Sequence, residues 1–129
     1  MPPRGSALVT RATGIAQRYV EAMNTGDIDA MLSLFAPGAV LRHPTGVYAD
    51  SDAIRSFFVE MAFAYAARLH GIEVLEHGDM AWLEVEAESD VTPGRQRVID
   101  VFRLDEQGRI LDLGVYSGNI VPGSDEEGR

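Results

Sequence analysis

Three side chains in this sequence are of types, and in places, suited to acid–base chemistry. Asp100 sits within Arg97-Val98-Ile99-Asp100-Val101-Phe102-Arg103-Leu104, a run of β-branched and aromatic residues bounded by turn signals, and therefore a strand. Alternation puts Val98, Asp100, Phe102 and Leu104 on one face, with Ile99 and Val101 on the other. One carboxylate thus lies in an apolar row. An isolated ionised carboxylate is costly to bury, so such a group is paired, hydrogen-bonded or protonated. In the first two cases it is structural; in the last it is an acid kept neutral so that it can donate a hydrogen bond. His43 closes an alternating stretch, and Pro44 forces it into an extended conformation at the strand end. An imidazole there is either a structural histidine or a general acid–base group working near neutrality. Tyr19 lies at the centre of a buried helical stripe, where its hydroxyl needs a partner inside the protein.

The elements that would position these groups can be read in order. From roughly Leu8 to Asn24, the positions Leu8, Ala12, Ile15, Tyr19 and Met23 recur at helical steps, and Gly26 follows as a stop. Asp27 caps a second helix with Ile28, Met31, Leu32 and Phe35 facing inward, and Pro37-Gly38 ends it. The two helices form a hairpin. Ala39 to His43 then alternates as a strand, with Ala39, Leu41 and His43 on one face. Asp50 or Ser51 caps a third helix whose Ile54, Phe57, Phe58, Met61, Ala62 and Tyr65 carry the clearest helical period. The rest reads as strands: Ile72 to His77, Met80 to Ser89, the strand of Asp100, and Arg109 to about Ser117. In the last of these, Leu111, Leu113 and Val115 share a face. Glu84, Glu86 and Glu88 read as a solvated row. The pattern predicts an α+β fold, with three helices in the N-terminal half packed on one face of a curved antiparallel sheet. Such a cone encloses either a filled core or an apolar pocket.

Composition narrows the classes. The 129 residues make one domain, expected as a flexible lead over 1–9, a domain over 10–118 and an acidic flexible tail over 119–129. Eleven basic against 20 acidic residues give a net charge of −9 with no basic patch, which argues against nucleic acid and anionic membrane surfaces. No apolar run approaches a spanning helix and no signal-peptide core is visible, so a cytoplasmic location is the default expectation. There is no cysteine, which removes thiolate nucleophiles and zinc–thiolate sites, and no lysine, which removes Schiff-base chemistry. His70 and His77 have no spacing to His43 or to paired acids that points to a metal.

The wording of the chain resembles the ketosteroid isomerases. The residues that carry the likeness are Ile15-Ala16-Gln17-Arg18-Tyr19-Val20-Glu21-Ala22-Met23-Asn24-Thr25-Gly26-Asp27-Ile28-Asp29, then Leu34-Phe35-Ala36 and Ala39-Val40-Leu41-Arg42-His43-Pro44. Ala53-Ile54-Arg55-Ser56-Phe57-Phe58 and Ile99-Asp100-Val101-Phe102-Arg103 continue it. The broader group is the SnoaL-like, or nuclear transport factor 2-like, superfamily of cone-shaped α+β barrels, and the resemblance spans about residues 10–118. It implies that Tyr19 is the oxyanion-hole tyrosine and Asp100 the protonated aspartic acid donating to the same oxygen; this family is itself the standard illustration of such a neutral acid. It also marks two departures. His43 holds the place of the family's aspartate base, and Phe58 that of a tyrosine that supports the oxyanion tyrosine in some members.

The expected function is therefore a cofactor-independent and metal-independent isomerase. It would shift a double bond in an apolar cyclic, polyketide-like or steroid-like carbonyl compound, with His43 as base and Tyr19 and protonated Asp100 holding the oxyanion. Phe58, Met61, Leu83, Val85, Phe102 and Leu113 are the candidate substrate-binding lining. The alternatives use the same pocket: an epoxide-opening or aldol-type cyclase or hydrolase, or a non-catalytic dimeric binding module. Apolar Ile99 and Val101 on the outer side of their strand, together with the resemblance, lead to an expected homodimer.

Overall fold

Helix α1 (Pro3–Thr25) opens the fold in the computed structural model, which describes the backbone of residues 3–120 and the side chains of residues 11–118. Ala12, Ile15, Ala16, Tyr19, Ala22 and Met23 are all buried along its inward stripe. The helix begins at Pro3, so most of the lead expected over residues 1–9 is helical backbone. The tail expected over 119–129 lies, from residue 121 on, outside the described residues. Gly26 ends α1 at φ +67°, where a Cβ would be strained. Asp27 then caps α2 (Ile28–Leu32), its carboxylate accepting from the Ala30 amide at 3.0 Å.

The chain continues through β1 (Phe35–His43), β2 (Gly46–Tyr48) and α3 (Ser51–Phe57), with Asp50 capping α3 through the Ala53 amide at 2.8 Å. Beyond Phe57 the helix widens into a π-helical turn at Phe58–Ala62 and then tightens into a 3₁₀ turn at Phe63–Tyr65. Four longer strands follow, β3 (Arg68–His77), β4 (Met80–Ser89), β5 (Thr92–Leu104) and β6 (Ile110–Ile120). They form one curved, unclosed sheet in the order β2-β1-β6-β5-β4-β3. Every neighbouring pair is antiparallel except β1 with β6, which is parallel and departs from the all-antiparallel expectation. The reason lies at the helical hairpin: the Ile110 amide donates to the Leu34 carbonyl at 2.7 Å, so both strands start from the same end.

Two β-bulges correct the simple alternation. Leu104 pairs with Ile110 and Arg103 with Asp112, so Leu111 is the extra residue. Ile110 and Leu113 point into the core, and Leu111 is 46% exposed rather than sharing their face. On β3 the register slips between Gly71 and Glu73, which hides the strand's first four residues from a period-2 reading and leaves Ile72 exposed. The row Glu84, Glu86, Glu88 is not merely solvated. Arg97 donates to Glu84 at 2.7 Å and to Glu86 at 3.4 Å, Arg95 donates to Glu86 at 3.1 Å, and His70 Nε2 lies 2.6 Å from Glu88. These half-buried cross-strand pairs knit the outer face.

The core lies between α1, α3 with its π turn, and the concave face of the sheet. Tyr19 packs edge-on against Phe102 (centroids 5.2 Å apart) and Phe58 (6.2 Å), in the geometry aromatic quadrupoles favour. Asn24 clamps α1 to β3 by donating to the Leu69 carbonyl at 2.9 Å and accepting from the Leu69 amide at 2.7 Å. Among the described residues no helix is long and apolar enough to cross a membrane.

Candidate active site

Tyr19, His43 and Asp100 all line one cavity of about 320 Å³. Each reaches it from a different element. Tyr19 descends from the middle of α1, Asp100 projects from the concave face of β5, and His43 stands at the last position of β1, where Pro44 turns the chain away. Met23, Phe57, Met61, Val98 and Val115 supply apolar wall, and Glu88, Thr92, Gln96 and Ser117 make the rim polar. A larger hollow of about 600 Å³ lies between α1, α2 and the β5–β6 turn. It is lined by Arg18, Glu21, Asp27 and Arg109, with no deeply buried titratable group, so the chemistry points to the smaller cavity.

Asp100 is 2% exposed and is the one buried charged residue among those described. Its carboxyl makes no hydrogen bond to a described residue, and burial pushes its pKa up from 3.8 to about 7. The Tyr19 hydroxyl likewise has no hydrogen-bond partner among the described residues. Burial, and then the charge of Asp100, raise its pKa well above the usual phenol range, so it stays protonated. Burial holds the half-buried His43 imidazole below its usual range, so it is neutral at pH 7. The ring lies against Phe57 at a centroid distance of 4.8 Å. Its Nδ1 accepts from the Thr45 amide at 3.1 Å and sits 2.9 Å from Thr45 Oγ1. Thr45 Oγ1 is 2.7 Å from the Tyr48 hydroxyl, which is in turn 3.6 Å from Met61 Sδ.

The remaining residues expected in the lining are placed differently. Met61 borders the cavity, but Phe58, Val85, Phe102 and Leu113 are fully buried in the core, and Leu83 faces a separate hollow beside α1 and β3. Their inward direction agrees with the alternation. The space they point into is filled by Tyr19 and the aromatic cluster. Thr45 and Tyr48, from the short stretch after Pro44, join the site as residues that sequence reasoning missed. The sequence signal for Thr45 is a hydroxyl residue two positions after a histidine, across a proline that bends the backbone amide back toward the ring.

An acid of pKa about 7, a protonated phenol and a neutral imidazole thus border one largely apolar cavity in a cone-shaped α+β fold. Residues 16–113 match the model of the SnoaL-like domain, and the chain belongs to that family. Solved structures share the fold at low identity. The proposed polyketide cyclase SMa1630 of Sinorhizobium meliloti is 24% identical over 79% of this chain and 93% of its own, with a TM-score of 0.73. SalBIII, an epoxide hydrolase/cyclase-like enzyme of pyran ring formation in the polyether salinomycin, is 22% identical over 84% of this chain and 92% of its own (TM-score 0.74). A proposed ketosteroid isomerase from Kribbella flavida DSM 17836 is 14% identical over 92% and 87% (TM-score 0.75).

Proposed function

We propose that this protein is a cofactor-independent acid–base enzyme that shifts a double bond in an apolar cyclic or polyketide-like carbonyl compound. The observation that carries this is Asp100: a carboxyl 2% exposed, unpaired among the described residues, with a pKa of about 7, and facing the same cavity as Tyr19. A carboxyl held near neutrality without a structural partner serves either as proton carrier or as neutral donor. Tyr19, protonated at all working pH, donates to the substrate carbonyl oxygen and stabilises the dienolate formed when a neighbouring carbon loses its proton. Asp100 and His43 share the other two tasks, a second donor to that oxygen and the proton carrier. In the division implied by the ketosteroid isomerase resemblance, His43 is the carrier and protonated Asp100 the donor. Homodimerisation belongs to the same proposal, supported by the apolar outer-face residues Ile99, Val101 and the 59%-exposed Tyr116.

The test is a steady-state assay with a β,γ-unsaturated cyclic ketone, expected to give the conjugated isomer. Asp100 also supports a second reading, because an acid of pKa about 7 can protonate an epoxide or aldolate oxygen. Epoxide opening or aldol cyclisation without ketone isomerisation would establish that reading instead. Tight binding of a planar phenol with no turnover of either substrate class would reduce the protein to a binding module.

A further inference from the structure

The hydrogen bonds around His43 determine which of its nitrogens carries the proton. A backbone N–H can only donate, so the 3.1 Å contact from the Thr45 amide requires a lone pair on Nδ1. The 2.9 Å contact to Thr45 Oγ1 is compatible with this when the threonine hydroxyl donates to Nδ1 and accepts from Tyr48 in turn. The opposite arrangement would run a proton from Nδ1 to Thr45, from Thr45 to Tyr48, and from Tyr48 to the Met61 sulfur. It sets two N–H groups against each other and gains only a bond to a thioether, a weak acceptor. The first arrangement satisfies the stronger groups. Nε2 has no partner among the described residues, and the ring borders the cavity.

We infer that Thr45 holds neutral His43 with its proton on Nε2, so that the ring donates to the substrate oxygen and Asp100 is the base. This rests on the proposed reaction and reverses the division of labour within it. The Asp100 carboxylate removes the α-proton: the C–H bond breaks as the Asp100 O–H bond forms, and the electron pair moves onto the carbonyl oxygen. Tyr19 and His43 Nε2–H hold that oxygen. Asp100 then delivers the same proton to the γ-carbon, and no charge or atom is left over. Thr45 acts through His43 and is a positioning residue.

The other titratable groups around this cavity are Tyr19 from α1, Glu88 from β4 and Asp100 from β5, with Tyr48 of β2 beside the ring through Thr45. Long-range ¹H–¹⁵N correlation spectra of the full chain, labelled at its three histidines, read the tautomer directly, with His43 assigned by comparison with His43→Gln. At about pH 8, above the ring's titration, the expected pattern is a pyrrole-like Nε2 and a pyridine-like Nδ1. A pyrrole-like Nδ1, or shifts averaged between the two forms, would overturn the assignment. Thr45→Val removes one donor from the Nδ1 lone pair while keeping the backbone amide. Its His43 should keep the tautomer and rise in pKa by about half a unit, because a donor to the lone pair opposes protonation there. An unchanged or lowered pKa contradicts the inference, since losing an acceptor for Nδ1–H would lower it; if this variant does not fold, the wild-type spectrum decides. In the ketone assay, kcat/KM should rise through an apparent pKa near 7 that persists at reduced rate in His43→Gln and disappears in Asp100→Asn. Loss of that limb in His43→Gln would restore the histidine as base. Absence of any ketone turnover removes the reaction, and the base with it, whereas the ring assignment stands or falls on the spectra alone.

Discussion

Replacing Asp100 with Asn keeps the shape of the side chain and removes its titration, which makes the cost of burying the carboxylate measurable. The folded carboxyl titrates at about 7 against 3.8 without the fold's influence, a gap of about 3 units. At 1.36 kcal/mol per unit, that is about 4 kcal/mol of difference between protonated and ionised folded protein. The sign follows from which state holds the proton. The folded state binds it more tightly, so this stabilisation is fully present below pH 3.8, declines as pH rises, and is lost as pH passes through about 7. Asp100→Asn lacks that decline. Urea unfolding of both proteins between about pH 4 and pH 8, followed through the single tryptophan Trp82, should therefore show the variant gaining about 4 kcal/mol relative to wild type across the range. The other shifted groups are common to both proteins and cancel. Burial keeps His43 low, so it adds stability as pH rises toward 6.5. Glu88 is held low by its hydrogen bond from His70 and Asp105 by the Arg109 amide, so their contributions disappear only in acid. Two stability curves that stay parallel within about 1 kcal/mol would refute the reasoning, because Asp100 would then be ionised and solvated, or paired, in the folded protein.

Tyr19→Phe removes the phenolic donor and little volume, so kcat for the ketone should fall by about 10²- to 10³-fold with KM nearly unchanged; a fall in KM-dependent terms alone would place Tyr19 in binding only. Phe102→Ala opens a hole where Tyr19 and the sheet meet, and chemical denaturation should register a loss of about 3–5 kcal/mol. Sedimentation equilibrium should give twice the 14.1 kDa chain mass, and Tyr116→Glu on the outer face should shift it toward the monomer; a wild type that stays monomeric at micromolar concentration contradicts the dimer.

Much of the fold was legible because α1 and β4 carry unbroken periods. The α1 stripe from Ala12 to Met23, the Asp27 cap and the inward row Ala81, Leu83, Val85 stand where the pattern put them, and of the two caps open for the third helix the structure uses Asp50. The misses fall where one element runs straight into the next or where periodicity is interrupted. The second helix, expected to carry Phe35 and to end at Pro37-Gly38, stops at Leu32, and β1 takes up Phe35, Pro37 and Gly38. The bulge at Leu111 shifts a face by one residue, the bulge before Glu73 conceals the start of β3, and the β1–β6 pairing joins strands far apart in the chain. Local pattern contains no term for any of these.

The site divides in the same way. That Tyr19, His43 and Asp100 point inward followed from sequence alone, since helix phase decides the direction of Tyr19 and strand alternation that of His43 and Asp100, with Pro44 keeping His43 extended at the strand end. Only the tertiary structure decided what that inside contains. It filled the core with Phe58, Val85, Phe102 and Leu113 and left a cavity bordered by Val98, Val115 and Met61, because the separation between helices and sheet depends on all of them together. It also left Asp100 without a described partner and so raised its pKa by burial, and it bent Thr45 back onto the His43 ring. Desolvation and hydrogen-bond geometry are properties of the assembled surroundings, and no single segment of the chain encodes them.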